Sequence, residues 1–393
     1  MSDYLIPYGH QQISQADIDA VIEVLRSEWL TQGPVVPAFE KSVATRCGAA
    51  YAVAANSATS ALHIACLTLD VGPGDAVWTS PITFVASADC ARYCGASVDF
   101  VDIDPHTWCL SAEALHHKLK RAQKSGSLLP KVVIPVHFAG QSCDMAAIAQ
   151  LGDEYGFRII EDAAHAMGGM YDHEPVGNCR YSDISVFSLH PVKMITTGEG
   201  GLALTNTANL AERMTLFRSH GITRDPAKMS KKPDGPWYYE QIAMGFNYRM
   251  TDIQAALGLS QLKRLDDFVA RRGEITRQYD VALADLPIQR QAIPHNVTSA
   301  RHLYVIRVPA DQHVTIVEYL REQGIGVNVH YIPVYFQPAY RELGFRDGAC
   351  PEAERYYSEA LSLPIYPAMT HDQFCRVVEE VTQAVKVSAL ASQ

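Results

Sequence analysis

The stretch Ile184-Ser185-Val186-Phe187-Ser188-Leu189-His190-Pro191-Val192-Lys193-Met194-Ile195-Thr196-Thr197-Gly198-Glu199-Gly200-Gly201-Leu202-Ala203-Leu204 holds two short apolar runs on either side of a glycine turn. The turn Gly198 to Gly201 is too short to house a crossover helix, so the run Leu202 to Leu204 is expected to lie antiparallel to its neighbour. Upstream, similar runs recur at Tyr51 to Ala55, Ala76 to Thr79, Val98 to Val101, Val132 to Val136 and Phe157 to Ile160, and helical patterns separate most of them. Alternation of that kind predicts an α/β fold whose large domain carries a mainly parallel mixed sheet covered on both faces.

Helical spacing of Ile18, Val21, Ile22 and Leu25 predicts a helix from Gln15 to Ser27, stopped by Trp29-Leu30-Thr31-Gln32-Gly33-Pro34. Downstream, a long amphipathic helix is expected from Met250 to Ala284, with a break near Gly273. A strand at His302 to Val308, a helix near Val314 to Gln323, a strand at Ile325 to Val329 and two later helices make a smaller C-terminal α+β unit. The expected division is 1–265 for the large domain, N-terminal segment included, and 266–393 for the small one.

The chain has 393 residues, of which 48% are hydrophobic, enough for two cores. A formal charge of -10 argues against general nucleic-acid binding, which needs a basic face to displace counterions. Lys228, Lys231 and Lys232 read as a solvated loop. Nine cysteines without a CxxC pair, and no further ligands beside Cys90 and Cys94, point to buried free thiols and no metal site. No apolar run reaches membrane-spanning length, so the expected compartment is the cytoplasm.

Four local features fall near the ends of expected elements, where open α/β sheets place ligands. Asn56-Ser57-Ala58-Thr59-Ser60-Ala61 follows a strand and opens a helix, and reads equally as a plain N-cap or as an anion site. Asp162 ends the run Phe157 to Ile160, either as a cap or as a carboxylate facing the sheet crevice. Ser188 and Lys193 leave the next run together, with glycines beyond them that let backbone approach a ligand. Gly245-Phe246-Asn247-Tyr248-Arg249-Met250 opens the long helix. Together these features suit pyridoxal 5'-phosphate, which needs a lysine for its aldehyde, an acid for its pyridine nitrogen and an anion site for its phosphate.

The segments Leu30-Thr31-Gln32-Gly33, Asn56 to Leu62, Asp162-Ala163-Ala164-His165, Ser188 to Lys193, Gly198-Glu199-Gly200-Gly201 and Asn247 to Asp252 resemble the DegT/DnrJ/StrS family of sugar aminotransferases, over nearly the whole chain. The resemblance implies fold type I of the pyridoxal-phosphate enzymes. It implies Lys193 as the catalytic Schiff-base lysine, Asp162 at the pyridine nitrogen, His165 in support, Phe84 stacked on the ring, and Thr59, Ser60 and Ser188 on the phosphate. It also implies a homodimer with shared active sites, in which Asn247 reaches the neighbouring subunit's phosphate. Tyr8, Trp29, Leu30, Thr31, Ala58, His330 and Tyr331 lie where the family meets its sugar nucleotide; His330 reads equally as a core histidine.

The segments Phe217 to Ile222 and Val329 to Tyr335 carry a finer likeness to the transaminases of pseudaminic acid biosynthesis. That likeness implies L-glutamate as donor and UDP-2-acetamido-2,6-dideoxy-β-L-arabino-hex-4-ulose as acceptor, aminated at C4. The competing expectations are another UDP- or dTDP-keto-sugar, or a regulatory protein on the same fold.

Overall fold

The computed structural model describes residues 6–391. Seven strands form the central sheet: β1 (Tyr51–Ala55), β2 (Ala76–Thr79), β3 (Ser97–Phe100), β4 (Val132–Ile134), β5 (Arg158–Asp162), β6 (Ile184–Ser188) and β7 (Gly201–Thr205). Their order across the sheet is β1-β7-β6-β5-β4-β2-β3. Neighbours from β6 to β3 run parallel, whereas β7 lies antiparallel to both β6 and β1. The expected mainly parallel sheet with an antiparallel strand after the glycine turn is therefore what forms. Strand β1 points the same way as β6, so the carboxyl ends of β1, β2, β5 and β6 share one edge.

Helices cover the sheet: α1 (Gln15–Arg26), α2 (Val35–Cys47), α3 (Ala58–Thr68), α4 (Ala86–Tyr93), α5 (Ala112–Ser125), α6 (Met145–Tyr155), α7 (Ala208–Arg218), α8 (Asp252–Leu262) and α9 (Leu265–Ala282). Helix α3 is apolar nearly all round and buried between the sheet and α4 and α7. The segment after Pro34, for which the sequence reading offered no element, is helical. It forms α2, with Pro34 as N-cap and Phe39 and Val43 fully buried.

The helix expected from Met250 to Ala284 is indeed broken into two, but the break is not at Gly273. It falls at Lys263 and Arg264, where Arg264 leaves helical geometry and its guanidinium reaches Gln12 O and the buried Asp17. Gly273 continues inside α9. The stretch Ile325 to Val329 is not a strand; only isolated bridges form, Ile325 to Ile6 and Asn328 to Ser362. A second core gathers Ile275, Tyr279, Ile306, Leu320 and Val381, and Ile6 joins it from the far N-terminus. It sits on a three-stranded antiparallel sheet of Gln289–Arg290, Tyr304–Arg307 and Ala360–Leu363. Among the described residues no helix is long and apolar enough to cross a membrane.

Leu30-Thr31-Gln32-Gly33 and Asn247 to Asp252 lock together. Thr31 bridges Thr251, and the Asp252 N–H donates to Leu30 O. The fully buried Asp252 carboxylate accepts from the N–H groups of Gly33 (2.8 Å), Val35 (2.9 Å) and Val36 (3.3 Å), satisfying the start of α2 from another helix. Gly33 has no room for a side chain, since a Cβ there would lie 2.5 Å from Trp29 Cβ. Asp252→Ala strands three donors and should cost about 3 kcal/mol, seen as a lowered urea midpoint.

Candidate active site

A cavity of about 490 Å³ opens at the shared carboxyl edge of β1, β2, β5 and β6. Its lining includes Tyr8, Ala58, Thr59, Phe84, Asp162, His165, Ser188, Lys193, His330 and Tyr331, so one site collects most of the residues singled out from sequence.

On one wall stands the N-terminus of α3. Ser57 caps it, its Oγ accepting the Ser60 N–H at 3.1 Å. The Ala58 and Thr59 N–H groups have no acceptor within the helix. Gly201 makes this wall possible: a Cβ there would lie 2.5 Å from Ala58 N and from the Ser57 carbonyl. Any side chain would push β7 away from the helix start. The Ser60 hydroxyl is turned inward, donating to Asn56 Oδ1 at 2.7 Å, and does not reach the lining.

Asp162 ends β5 and is 5% exposed. Its Oδ1 accepts the Ala164 N–H at 3.1 Å, and its Oδ2 accepts the Ser87 hydroxyl at 2.5 Å. Strand alternation sends the preceding Glu161 to the opposite face, where it accepts from His137 Nε2 at 2.7 Å. His137 Nδ1 accepts the Cys143 N–H, so the ring proton sits on Nε2.

Lys193 rides on the loop between β6 and β7. That loop is tied at its base by Leu189 N–H to Gly200 O and by Thr197 N–H to Leu189 O. Burial lowers the Lys193 amine from its usual range to about 8, although the nearby Asp162 carboxylate pulls the other way.

Three histidines close the site. His165 Nε2 lies 3.2 Å from the Tyr331 hydroxyl, and the His302 ring packs 4.4 Å from the His165 ring. Burial first, then nearby Lys193 and His330, hold His165 well below the usual histidine range. Burial does the same to His302 and takes His330 to about 3. All three are therefore neutral at neutral pH. His330 has partners on both nitrogens, Ser362 Oγ at 2.8 Å and Asn328 Nδ2 at 3.4 Å, and still borders the cavity beside Tyr8.

Four other residues lie apart. Trp29 and Leu30 are about half exposed, Trp29 bordering a groove between α1 and α8, and Thr31 pairs with Thr251. Asn247 pairs with Ser219 and is outside this chain's own cavity lining. Sequence reading missed Thr83, Ser87, His190, Glu199, His302 and Asn328, all of which line the cavity. For Thr83 and Ser87 a signal existed in their place one helical turn apart beside Phe84.

The DegT/DnrJ/EryC1/StrS aminotransferase family profile matches residues 11–382. The chain belongs to that family. The spore coat polysaccharide biosynthesis protein SpsC of Bacillus subtilis (strain 168) is 39% identical, over 98% of each chain. Helicobacter pylori PseC, an aminotransferase involved in pseudaminic acid biosynthesis, superposes with a TM-score of 0.88 at 30% identity, covering 97% of this chain and 99% of its own. A Streptococcus pneumoniae chain in its PLP form gives 0.88 at 29% identity, covering 98% and 100%. The protein is a sugar aminotransferase of fold type I, and its cofactor is pyridoxal 5'-phosphate.

The cavity suits that cofactor. It offers an amine of lowered basicity, a buried carboxylate, a helix start with two free N–H groups beside Ser188 and Thr59, and the Phe84 ring, 60% exposed, at its wall. Only a neutral amine attacks an aldehyde. Capture of pyridoxal phosphate by the cofactor-stripped protein should therefore accelerate with pH and level off above about 8. An ordinary lysine would still be climbing near pH 10. Stopped-flow absorbance across pH reads the difference.

Proposed function

We propose that this chain moves the amino group of L-glutamate to C4 of UDP-2-acetamido-2,6-dideoxy-β-L-arabino-hex-4-ulose, a step of pseudaminic acid biosynthesis. The observation that carries the reading is the end-to-end likeness to PseC, joined to a cavity where Lys193 and Asp162 meet. Bound there, the cofactor supplies an electron sink for the donor's α-carbon. Asp162 keeps a proton on the pyridine nitrogen. Phe84 covers one ring face, and His165 supports the acid side. Ser188, Thr59 and Ser60 hold the phosphate, Ser60 through its place in the first turn of α3. Lys193, largely able to shed its proton near pH 8, carries the proton to and from the donor carbon.

Tyr8, Trp29, Leu30, Thr31, Ala58, His330 and Tyr331 are assigned to the sugar nucleotide. Among the described residues no arginine lines the cavity, yet glutamate carries two carboxylates and the sugar nucleotide a pyrophosphate. Cations from a second copy would meet them. Asn247, outside its own chain's cavity, fits the same homodimer with shared sites. We assign 1–265 to the large domain and 266–393 to the small one, with α9 spanning both cores, and the cytoplasm as compartment.

The likeness to SpsC supports a second reading with the same chemistry, amination of another UDP- or dTDP-keto-sugar. Incubation with glutamate and a panel of these keto-sugars, with NMR of the amino product, separates the two. The first predicts a 4-amino product from the UDP-linked N-acetyl-hexulose alone. Lys193→Ala should fold and lose the pyridoxyl-lysine that borohydride traps in the wild type, as mass spectrometry would show. Asp162→Asn should slow the glutamate half-reaction by well over tenfold, more than about 1.4 kcal/mol of barrier; a smaller loss would remove the pyridine role.

A further inference from the structure

We infer that Ser87, backed by Thr83, is a positioning residue that fixes the Asp162 carboxylate toward the cofactor's ring nitrogen. The inference rests on the pyridine role of Asp162 proposed above.

Ser87 lies in the first turn of α4 and is fully buried, yet it lines the cavity. Its Oγ is 2.5 Å from Asp162 Oδ2 and 2.7 Å from the Thr83 Oγ1. An ionised carboxylate can only accept, so the Ser87 proton points at Asp162. The alternative acceptor, Phe84 O, is 3.4 Å away and uncharged. With its proton committed, Ser87 must accept from Thr83, itself 3% exposed. The hydroxyls thus form one directed chain, Thr83 to Ser87 to Asp162.

The chain settles how the carboxylate stands. Ala164 N–H holds Oδ1 and Ser87 holds Oδ2, and rotation of the carboxylate would break both bonds. One lone pair on each oxygen remains for the cavity. Thr83 and Ser87 also flank Phe84 in the same turn. One short segment therefore sets both the ring-stacking residue and the orientation of the acid at the nitrogen edge. A side chain that served packing alone would need neither hydroxyl.

The test is a double-mutant cycle on cofactor affinity, read by fluorescence titration of the cofactor-stripped full chain with pyridoxal phosphate. Ser87→Ala should weaken binding about tenfold in the wild-type background. In the Asp162→Ala background, with no carboxylate left to hold, it should change binding less than twofold. Thr83→Val, which removes only the far hydroxyl, should weaken binding about threefold alone and have no effect on top of Ser87→Ala. The same loss in both Asp162 backgrounds would make Ser87 a packing residue and overturn the inference. So would wild-type affinity, within twofold, for both Ser87→Ala and Thr83→Val. If Asp162→Ala itself binds the cofactor as the wild type does, the pyridine role fails. If Asp162→Ala is weak and Ser87→Ala is not, only the Ser87 inference fails.

Discussion

A carboxylate and an amine share a cavity whose histidines burial keeps neutral. His165, His302 and His330 all sit far below their usual range because the surroundings disfavour imidazolium, and Lys193 itself is brought down to about 8. Burying Asp162 in such a place costs several kcal/mol unless its oxygens find donors. The fold supplies a backbone N–H on one oxygen and a hydroxyl on the other. Strand β5 must therefore end where it does, α4 must begin beside it, and the β6–β7 loop must return Lys193 to the same edge. Much of the central sheet and its connections serves this one placement.

The antiparallel β7 is the second constraint. It brings Gly201 beneath the start of α3 so closely that no Cβ fits, and this leaves the first N–H groups of the helix at the cavity wall. A parallel strand at this position would need a crossover helix after Ser188, and the Lys193 loop would not exist. The same short return that makes the sheet mixed therefore also delivers the reactive amine.

Elements set by local pattern were readable in the chain. The apolar runs of the sheet, the antiparallel return after Gly198 to Gly201, and Asp162, Ser188 and Lys193 at strand ends all follow from neighbours in sequence. Features set by distant contacts were not. Nothing local marks Lys263 and Arg264 as a break; there Arg264 leaves helical geometry and its guanidinium reaches Asp17 and Gln12, about 250 positions away. Pro34 looks like a breaker, yet it opens α2 because Asp252, more than two hundred positions away, satisfies the N–H groups that follow. His302 and Asn328 look like ordinary residues of the C-terminal part of the chain. They line the cavity beside residues from the edge of the central sheet, far from them in sequence.

Leu30 to Gly33 and Asn247 to Asp252 show how a family motif can hold two kinds of residue. Within one chain their backbones pair, Asp252 caps α2 and Gly33 makes room for Trp29, all of which is architecture. Beside that pairing, Trp29 and Leu30 are about half exposed and Asn247 lies outside its own chain's cavity lining. For the glutamate and sugar nucleotide proposed above, a cavity with Lys193 as the one lysine or arginine on its wall among the described residues is short of cationic partners. A frame that leaves Trp29, Leu30 and Asn247 outside their own chain's cavity suits the shared site proposed above. The buried Asp252 carboxylate ties that frame together through the N–H groups of Gly33, Val35 and Val36.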